Sequence, residues 1–153
     1  MSTRAMEFLK NQGIPFEVLE YDHREKGAAF ASQATGIPLE KTIKTLVVDF
    51  GAKGHALVLM PGDRKLNLKR LARYFSLKRV AMADRTTAER LTGYLVGGIS
   101  PFGTTRPLLV VMEETLARID RVAINGGRRG VLLLMDPRDI LRVTACKICP
   151  VAS

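Results

Sequence analysis

The sequence predicts one mixed α/β domain over residues 1–153, with a hairpin-rich sheet flanked by helices. The length of 153 residues is about that of a single domain. Short β-rich runs and segments of helical periodicity occur in an order that does not follow strict strand–helix–strand repetition. The glycine-containing segment Gly51–Gly54 separates two of the β-rich runs and predicts a hairpin.

The composition is that of an ordinary folded protein and excludes several classes. Hydrophobic residues make up 46% of the chain and charged residues 25%, a balance that disordered chains do not reach. Apolar runs such as Val131–Met135 fall far short of the roughly 20 residues that a membrane span requires. Met1–Met6 lacks the apolar core of a secretory signal, and two cysteines cannot build a disulfide framework. We therefore expect a cytoplasmic protein that does not bind membranes.

The first third of the chain predicts a helix, a strand and a second helix. Arg4–Gln12 has apolar residues at helical spacing and stops at Gly13. Phe16–Tyr21 follows as a strand with imperfect alternation. Gly27–Thr35 is alanine-rich and predicts a helix that Gly36 ends.

The middle of the chain predicts a hairpin followed by a basic helix. Pro38 makes a turn into a short basic helix. The hairpin strands are Thr45–Phe50 and His55–Met60. Asn67 is a good N-cap for Leu68–Phe75, whose cations occupy the face opposite its apolar residues.

The last part of the chain predicts two helices and three strands. Asp84, with a capping box formed by Thr86 and Glu89, predicts a helix that stops near Gly93. The remaining predicted elements are the strands Leu108–Met112, Arg121–Ile124 and Val131–Met135, and a helix that begins at Asp136 and Pro137 and runs to about Thr144.

The formal net charge of +9 favours a polyanionic partner. Charge can also serve solubility alone, but two separate basic clusters, at Arg64–Arg79 and around Arg128–Arg129, favour nucleic acid. Six Phe, three Tyr and no Trp provide no recurring aromatic platform, so we expect contacts to the phosphate backbone rather than stacked bases. The candidate nucleic-acid contacts are Lys65, Lys69, Arg70, Arg73, Arg128 and Arg129.

Cys146 and Cys149 have the spacing of redox and zinc sites, but their surroundings favour neither. Zinc would need two more ligands, and only the distant His23 and His55 are present. A reactive redox pair is expected near a helix N-terminus, whereas this pair follows a helix. We interpret the cysteines as incidental thiols, with a labile disulfide as the alternative. His23 is expected to be structural, His55 is expected to be a solvent-facing turn residue at the hairpin, and no metal site is predicted.

Two glycine-rich loops are the strongest indication of a ligand site. Gly97–Gly103 follows an apolar run, and Asn125–Gly130 lies between two predicted strands. Glycine permits positive φ and lets a ligand approach backbone N–H groups without an intervening Cβ. The alternative is a pair of tight turns. Lys44 directly precedes the predicted strand that begins at Thr45, so it is expected at a strand entrance, where a solvated end residue is the usual interpretation.

At these positions the sequence resembles the YbaK/EbsC family of aminoacyl-tRNA deacylases, which is related to the editing insertion domain of bacterial prolyl-tRNA synthetase. The matching segments occur in family order along almost the whole chain. They are Tyr21–His23, Phe30, Lys44–Val48, Met82–Asp84, Thr92–Pro101 and Gly126–Gly130.

The resemblance implies a mixed, mostly antiparallel sheet or partial barrel flanked by helices, with one pocket for the 3′ aminoacyl-adenosine of a mischarged tRNA(Pro). Lys44 matches a lysine essential for activity, and Gly98 and Ser100 match a loop near the scissile ester. No cofactor or metal is implied. Prolyl-tRNA synthetase is a further expected partner beside tRNA, whereas DNA is not an expected partner. The implied substrate contacts are Tyr21, Phe30, Thr45, Gly97, Ile99, Pro101, Asn125, Gly126 and Gly127.

The amino acid that is removed stays open at this stage. The family pattern has Ser before the second glycine pair and Asp soon after it, where this chain has Asn125 and Leu132. One subgroup lets the thiol of a mischarged cysteine attack its own ester, and another activates water to remove alanine. Removal of cysteine, removal of alanine or serine, and a non-catalytic role in binding tRNA or a synthetase are therefore the three hypotheses.

Overall fold

The computed structural model describes residues 2–25 and 27–153. The helices of these ranges are α1 (Arg4–Asn11), α2 (Ala28–Thr35), α3 (Leu68–Tyr74), α4 (Arg85–Thr92) and α5 (Pro137–Thr144). The strands are β1 (Glu17–Glu20), β2 (Ile43–Asp49), β3 (His55–Pro61), β4 (Ala81–Met82), β5 (Leu109–Glu113), β6 (Val122–Asn125), β7 (Val131–Met135) and β8 (Lys147–Cys149). None of the helices described is long and apolar enough to cross a membrane.

The strands form two sheets, which confirms the predicted mixed α/β class. The first sheet has the order β1-β7-β6 and is antiparallel throughout. The second has the order β4-β2-β3-β5-β8, with β5 parallel to both of its neighbours. A parallel bridge between Thr42 and Ala123 links the start of β2 to β6. Within the described ranges the sheets do not close into a full barrel.

The hairpin strand β3 is buried on both faces and separates two hydrophobic clusters. Leu57 and Leu59 pack into the larger cluster, together with residues of α1, β6 and β7. Val58 and Met60 point to the other face and pack with Leu71 of α3. Because successive side chains of a strand alternate between faces, a continuous apolar run is what such a central strand requires.

The helix starts are largely as predicted, and the details of two elements differ. The side chains of Asn67 and Asp84 cap α3 and α4 by accepting from backbone N–H groups at 2.9 and 2.7 Å. The predicted capping box was wrong: Asp84 alone is the N-cap, and the Glu89 carboxylate accepts a hydrogen bond from the Val96 N–H at 2.8 Å. The predicted short basic helix is a single 3₁₀ turn, Leu39–Lys41.

Two short strands, β4 and β8, were not predicted. With two and three residues, they carry too little periodicity to be recognised and depend on β2 and β5 as partners. β8 contains Cys149. The side chains of Cys146 and Cys149 are both buried free thiols. Burial raises the pKa of both thiols, which disfavours the reactive thiolate and supports their interpretation as incidental.

The buried carboxylate of Glu113 holds the C-terminal segment against the end of β5. It accepts hydrogen bonds from the backbone N–H groups of Val151 and Ala152 at 3.1 and 3.2 Å. Thr115 donates to it from both its N–H, at 2.9 Å, and its hydroxyl, at 2.7 Å. Burial by itself raises the pKa of Glu113, but these hydrogen bonds outweigh burial and hold the pKa below its ordinary value.

Glu113→Gln is expected to lower the free energy of unfolding by about 1–3 kcal/mol at neutral pH, because an amide cannot accept all four hydrogen bonds. The stabilisation that the wild-type carboxylate provides is fully present above the ordinary carboxyl pKa of about 4.3. It is lost as pH falls through the lowered pKa that Glu113 has in the folded protein. Urea unfolding between pH 3 and 7 measures both effects. Equal stability of the two proteins at pH 7 would contradict the role of Glu113 in holding the C-terminal segment.

Candidate functional site

A cavity of about 240 Å³ lies where residues of both sheets and α2 meet. Its wall is mostly apolar, with a few polar groups, as is typical of small-ligand sites. The lining residues are Tyr21, Gly27, Ala28, Ala31, Thr42, Ile43, Lys44, Thr45, Val96, Gly97, Ile99, Asn125 and Leu132.

Lys44 and Thr45 both line this cavity although they are neighbours on one strand. Successive side chains leave a strand on opposite faces. β4, however, pairs with β2 only at Val48 and Asp49, so Lys44 and Thr45 lie at an uncovered edge. The cavity adjoins that edge, and both residues contribute to its lining.

The Lys44 amine is partly desolvated at this edge. Burial lowers its pKa, the nearby carboxylate of Asp63 raises it, and the Lys65 amine lowers it again. The net direction is downward. The site therefore offers a cation that is only partly screened by water, and such a charge stabilises a developing negative charge more strongly than a solvated one does.

Thr45 contributes a hydroxyl that lacks a hydrogen-bond partner. Its Oγ1 is buried, and no other described residue lies in position to donate to it or accept from it. The hydroxyl of Thr42, the residue just before β2, is paired by contrast: it donates to the Pro38 carbonyl at 3.1 Å. Buried polar atoms are nearly always paired, so the Thr45 hydroxyl is available for a ligand.

A tight turn carries Gly97 to the cavity wall. The Gly98 N–H donates to the Leu95 carbonyl at 2.8 Å and closes the turn. Gly97 has φ 95°, a conformation that other L-residues rarely adopt. An added Cβ would also approach the Arg129 Nε to 2.8 Å.

Three side chains hold this turn in place. Glu89 accepts from the Val96 N–H at 2.8 Å, and the Nε of Arg129 donates to the Val96 carbonyl at 2.9 Å. The amide nitrogen of Asn125 donates to the Gly97 carbonyl at 2.8 Å.

The hairpin loop between β6 and β7 packs directly on the turn. The amide oxygen of Asn125 accepts from the N–H groups of Gly127 and Arg128 at 2.9 and 3.2 Å, which shapes the loop. An added Cβ on Gly98 would lie 3.0 Å from the Arg128 Cα, so the two backbones approach closely. The two glycine-rich loops therefore form one unit through their main chains.

The structure brings six of the predicted catalytic and substrate-binding residues together around the cavity. Phe30 lies outside the lining and packs against the ring of Tyr21, with centroids 6.3 Å apart. The roles of the six residues and of Phe30 in binding substrate remain predictions. The six lining residues are Tyr21, Lys44, Thr45, Gly97, Ile99 and Asn125.

The other predicted residues lie outside the cavity lining. Ser100 is fully buried, and its hydroxyl accepts from the Phe102 N–H at 3.1 Å. Gly127 faces the Tyr94 ring rather than the cavity. Their positions favour structural roles over the direct contacts expected from the sequence. The residues outside the lining are Gly98, Ser100, Pro101, Gly126 and Gly127.

The predicted nucleic-acid contacts divide into exposed cations and cations engaged elsewhere. Lys65, Lys69, Arg73 and Arg128 are exposed. Arg70 is exposed too, but its guanidinium donates to the Ala152 carbonyl at 2.8 Å. Arg129 is half-buried and donates to the turn as described above.

Sequence reasoning missed Glu89 as a site-supporting residue and Val96, Ala28 and Ala31 as parts of the wall. Glu89 gave a signal, a helix-start spacing, but that signal was assigned to a capping box. The small and apolar wall residues carry no chemical signature of their own, so only packing around the cavity identifies them.

The fold and the site together define a class: a mixed α/β protein that presents main-chain turns, a lysine and a free hydroxyl to a small ligand. The family model for the aminoacyl-tRNA editing domain matches residues 24–143. The chain belongs to this family.

Similar proteins of the family have been named for their substrates. The candidate Cys-tRNA(Pro)/Cys-tRNA(Cys) deacylase EbsC of Enterococcus faecalis is 29% identical, over 93% of this chain and 88% of EbsC. The multifunctional Ser/Thr-tRNA deacylase ProXp-y of Escherichia coli is 28% identical, over 92% of this chain and 86% of ProXp-y. A solved structure described as a candidate trans-editing enzyme for prolyl tRNA synthetase has a TM-score of 0.89 and 27% identity, covering 98% of this chain and 95% of that one.

Gly97→Ala is expected to abolish most ligand binding in the cavity, because the methyl group meets Arg129 and the backbone conformation costs about 1–3 kcal/mol. Gly51→Ala is the matched control. Gly51 also has positive φ, but an added Cβ there meets nothing within 4 Å. Urea unfolding should show a loss for both variants, larger in Gly97→Ala because of the added contact with Arg129, whereas deacylation of mischarged tRNA should fall only in Gly97→Ala. Equal activity of the two variants would contradict the role of the turn.

Proposed function

We propose that this chain is a trans-editing deacylase that removes cysteine from mischarged tRNA(Pro). The observation that carries the proposal is the shared cavity, which Lys44, Gly97 and Asn125 line together. The family is shown by the editing-domain match, and the two named deacylases support an ester-cleaving activity.

The terminal ester of an aminoacyl-tRNA is activated, so positioning and a donor at its carbonyl oxygen accelerate cleavage without a protein nucleophile. In the proposed reaction the cysteine thiol attacks its own carbonyl carbon. A C–S bond forms, the ester C–O bond breaks, and the thiol proton ends on the released adenosine hydroxyl. Lys44 stabilises the negative charge that develops on the carbonyl oxygen.

The apolar wall supports a thiol substrate. Leu132, which stands where the family pattern has Asp, lines the cavity with Ile43 and Ile99. A thiol behaves as a small hydrophobic group and needs no strong hydrogen-bond partner when buried. Pocket size alone separates substrates that differ by one methylene by only about 1–3 kcal/mol, whereas a reaction that needs a thiol excludes alanine altogether.

One observation favours a second candidate, the removal of serine or threonine by hydrolysis. The unpartnered hydroxyl of Thr45 could pair with a substrate hydroxyl. The relative ProXp-y is named as a Ser/Thr-tRNA deacylase. A non-catalytic module that binds tRNA or a synthetase would show binding without turnover.

Lys44→Met is expected to lower the rate of cysteine release from Cys-tRNA(Pro) by about 100-fold or more, because the variant removes the charge beside the ester. Lys41→Met is the matched control, since Lys41 is close in sequence but does not line the cavity. Loss of label from Cys-, Ala-, Ser-, Thr- and Pro-tRNA(Pro) measures the rates and the preference.

Alkylation of the cysteine thiol on the charged tRNA is the second arm of that experiment. The proposed cyclisation predicts no release from the alkylated substrate. Release at the unmodified rate would support the hydrolytic candidate instead. Equal rates for wild type and Lys44→Met would contradict catalysis at this cavity.

A basic groove beside α3 is the proposed contact for the tRNA backbone. The groove has a volume of about 640 Å³, and no acidic residue is among those that line it. Lys65 lies outside the groove and near the cavity, where its amine lowers the pKa of Lys44. The groove carries four cations over an apolar floor: Lys69, Arg73, Lys78 and Arg79 over Leu68, Ala72, Leu77 and Val80.

The double variant Lys69→Glu/Arg73→Glu is expected to weaken tRNA binding and to reduce its salt dependence, because fewer counterions are released. Both side chains are exposed, so the fold should survive. Arg142→Glu, an exposed reversal outside both basic clusters, is the control. Titration of tRNA at 50–200 mM salt measures the effect. Unchanged affinity of the double variant would remove the groove from the interface.

Prolyl-tRNA synthetase is the proposed further partner. The support is the neighbouring solved structure, which is described as a candidate trans-editing enzyme for prolyl tRNA synthetase. Addition of the synthetase to the deacylation assay should then raise the rate at low enzyme concentration.

A further inference from the structure

The turn at Val96–Gly97 is held from both of its peptide groups by charged side chains of two different elements. Glu89 comes from α4 and takes the Val96 N–H, whereas Arg129 comes from the loop after β6 and donates to the Val96 carbonyl. Charge-assisted hydrogen bonds are shorter and stronger than neutral ones. Neither side chain lines the cavity itself.

The Arg129 contact fixes the direction of the peptide that joins Val96 to Gly97, and the Glu89 contact fixes the preceding peptide, between Leu95 and Val96. In a trans peptide the C=O and the N–H point in opposite directions. Because Arg129 binds the Val96 carbonyl on one side, the Gly97 N–H leaves on the other. Within the described residues that N–H has no acceptor, and Gly97 lines the cavity.

We propose that Glu89 and Arg129 are positioning residues that orient the Gly97 N–H toward the carbonyl oxygen of the bound ester. The inference rests on the proposed function and deepens it. The turn thereby becomes a preorganised donor, whose orientation costs nothing at the moment of reaction. Arg129, expected from the sequence to contact tRNA, acts instead through the turn.

Asn125 also holds the turn, but its contact cannot replace those of Glu89 and Arg129. Asn125 donates to the Gly97 carbonyl, which belongs to the next peptide. Loss of Arg129 therefore leaves the turn attached while the Val96–Gly97 peptide is free to rotate, and loss of Glu89 removes the hold on the peptide before it. The expected defect lies in the chemical step rather than in substrate binding.

Steady-state kinetics on Cys-tRNA(Pro) test this inference. We expect Glu89→Ala and Arg129→Ala each to lower kcat by about 10-fold or more while KM changes by less than about twofold. Glu89→Gln should restore most of kcat, because its amide oxygen still accepts from the Val96 N–H. Arg85→Ala should match wild type, since Arg85 pairs with Glu89 at 3.4 Å but does not touch the turn.

Arg128→Ala separates positioning from tRNA contact. Arg128 is the exposed neighbour of Arg129 and is expected to affect KM alone. An Arg129→Ala variant that changed only KM, or a Glu89→Gln variant as slow as Glu89→Ala, would overturn the positioning role.

Amide hydrogen exchange provides a readout that does not depend on activity. The Gly98 N–H closes the turn on Leu95 and should exchange about 10-fold faster in Glu89→Ala and Arg129→Ala than in wild type. If the wild type released no amino acid from any tRNA, the proposed function would fail, and exchange would still test the turn. Unchanged exchange in both variants would overturn the inference.

Discussion

The close approach of two glycine-containing backbones is the contact on which the site depends. Gly98 lies against the Arg128 backbone so tightly that a Cβ would come within 3.0 Å of it. This approach lets Asn125 and Arg129 reach the Val96–Gly97 turn with hydrogen bonds of 2.8 and 2.9 Å. In the proposed function the main chain takes the role that a catalytic side chain has in many other enzymes, because rigid backbone donors need no reorganisation.

The cavity adjoins the part of β2 that β4 does not cover, although β2 pairs with β3 along its whole length. β4 covers only Val48 and Asp49, and the link between Thr42 and Ala123 brings the first sheet alongside the exposed edge. A desolvated amine and an unpaired hydroxyl are costly in a folded protein. The Lys44 amine and the Thr45 hydroxyl at this edge are therefore available to bind polar groups of a ligand.

The cations of the basic stretch divide between solvent and the fold. The exposed cations of α3 and the loop after it face solvent, whereas Arg70 and Glu113 are used to hold the C-terminal segment. The most basic stretch of the sequence thus serves two purposes. Lys69 and Arg73 are exposed and make no ion pair among the described residues, and they are among the cations proposed to meet phosphate groups.

The sequence alone determined the class of fold, most helix starts and the two glycine-rich loops, because caps, periodicity and positive φ are local properties. It also singled out Lys44, Thr45 and Asn125, largely through a family resemblance. Only the tertiary structure decided that Ser100 and Gly127 lie outside the cavity and that Glu89 supports the turn. Which face a loop residue presents, and which carbonyl a long side chain reaches, depend on contacts between elements far apart in the chain, and no local pattern encodes them.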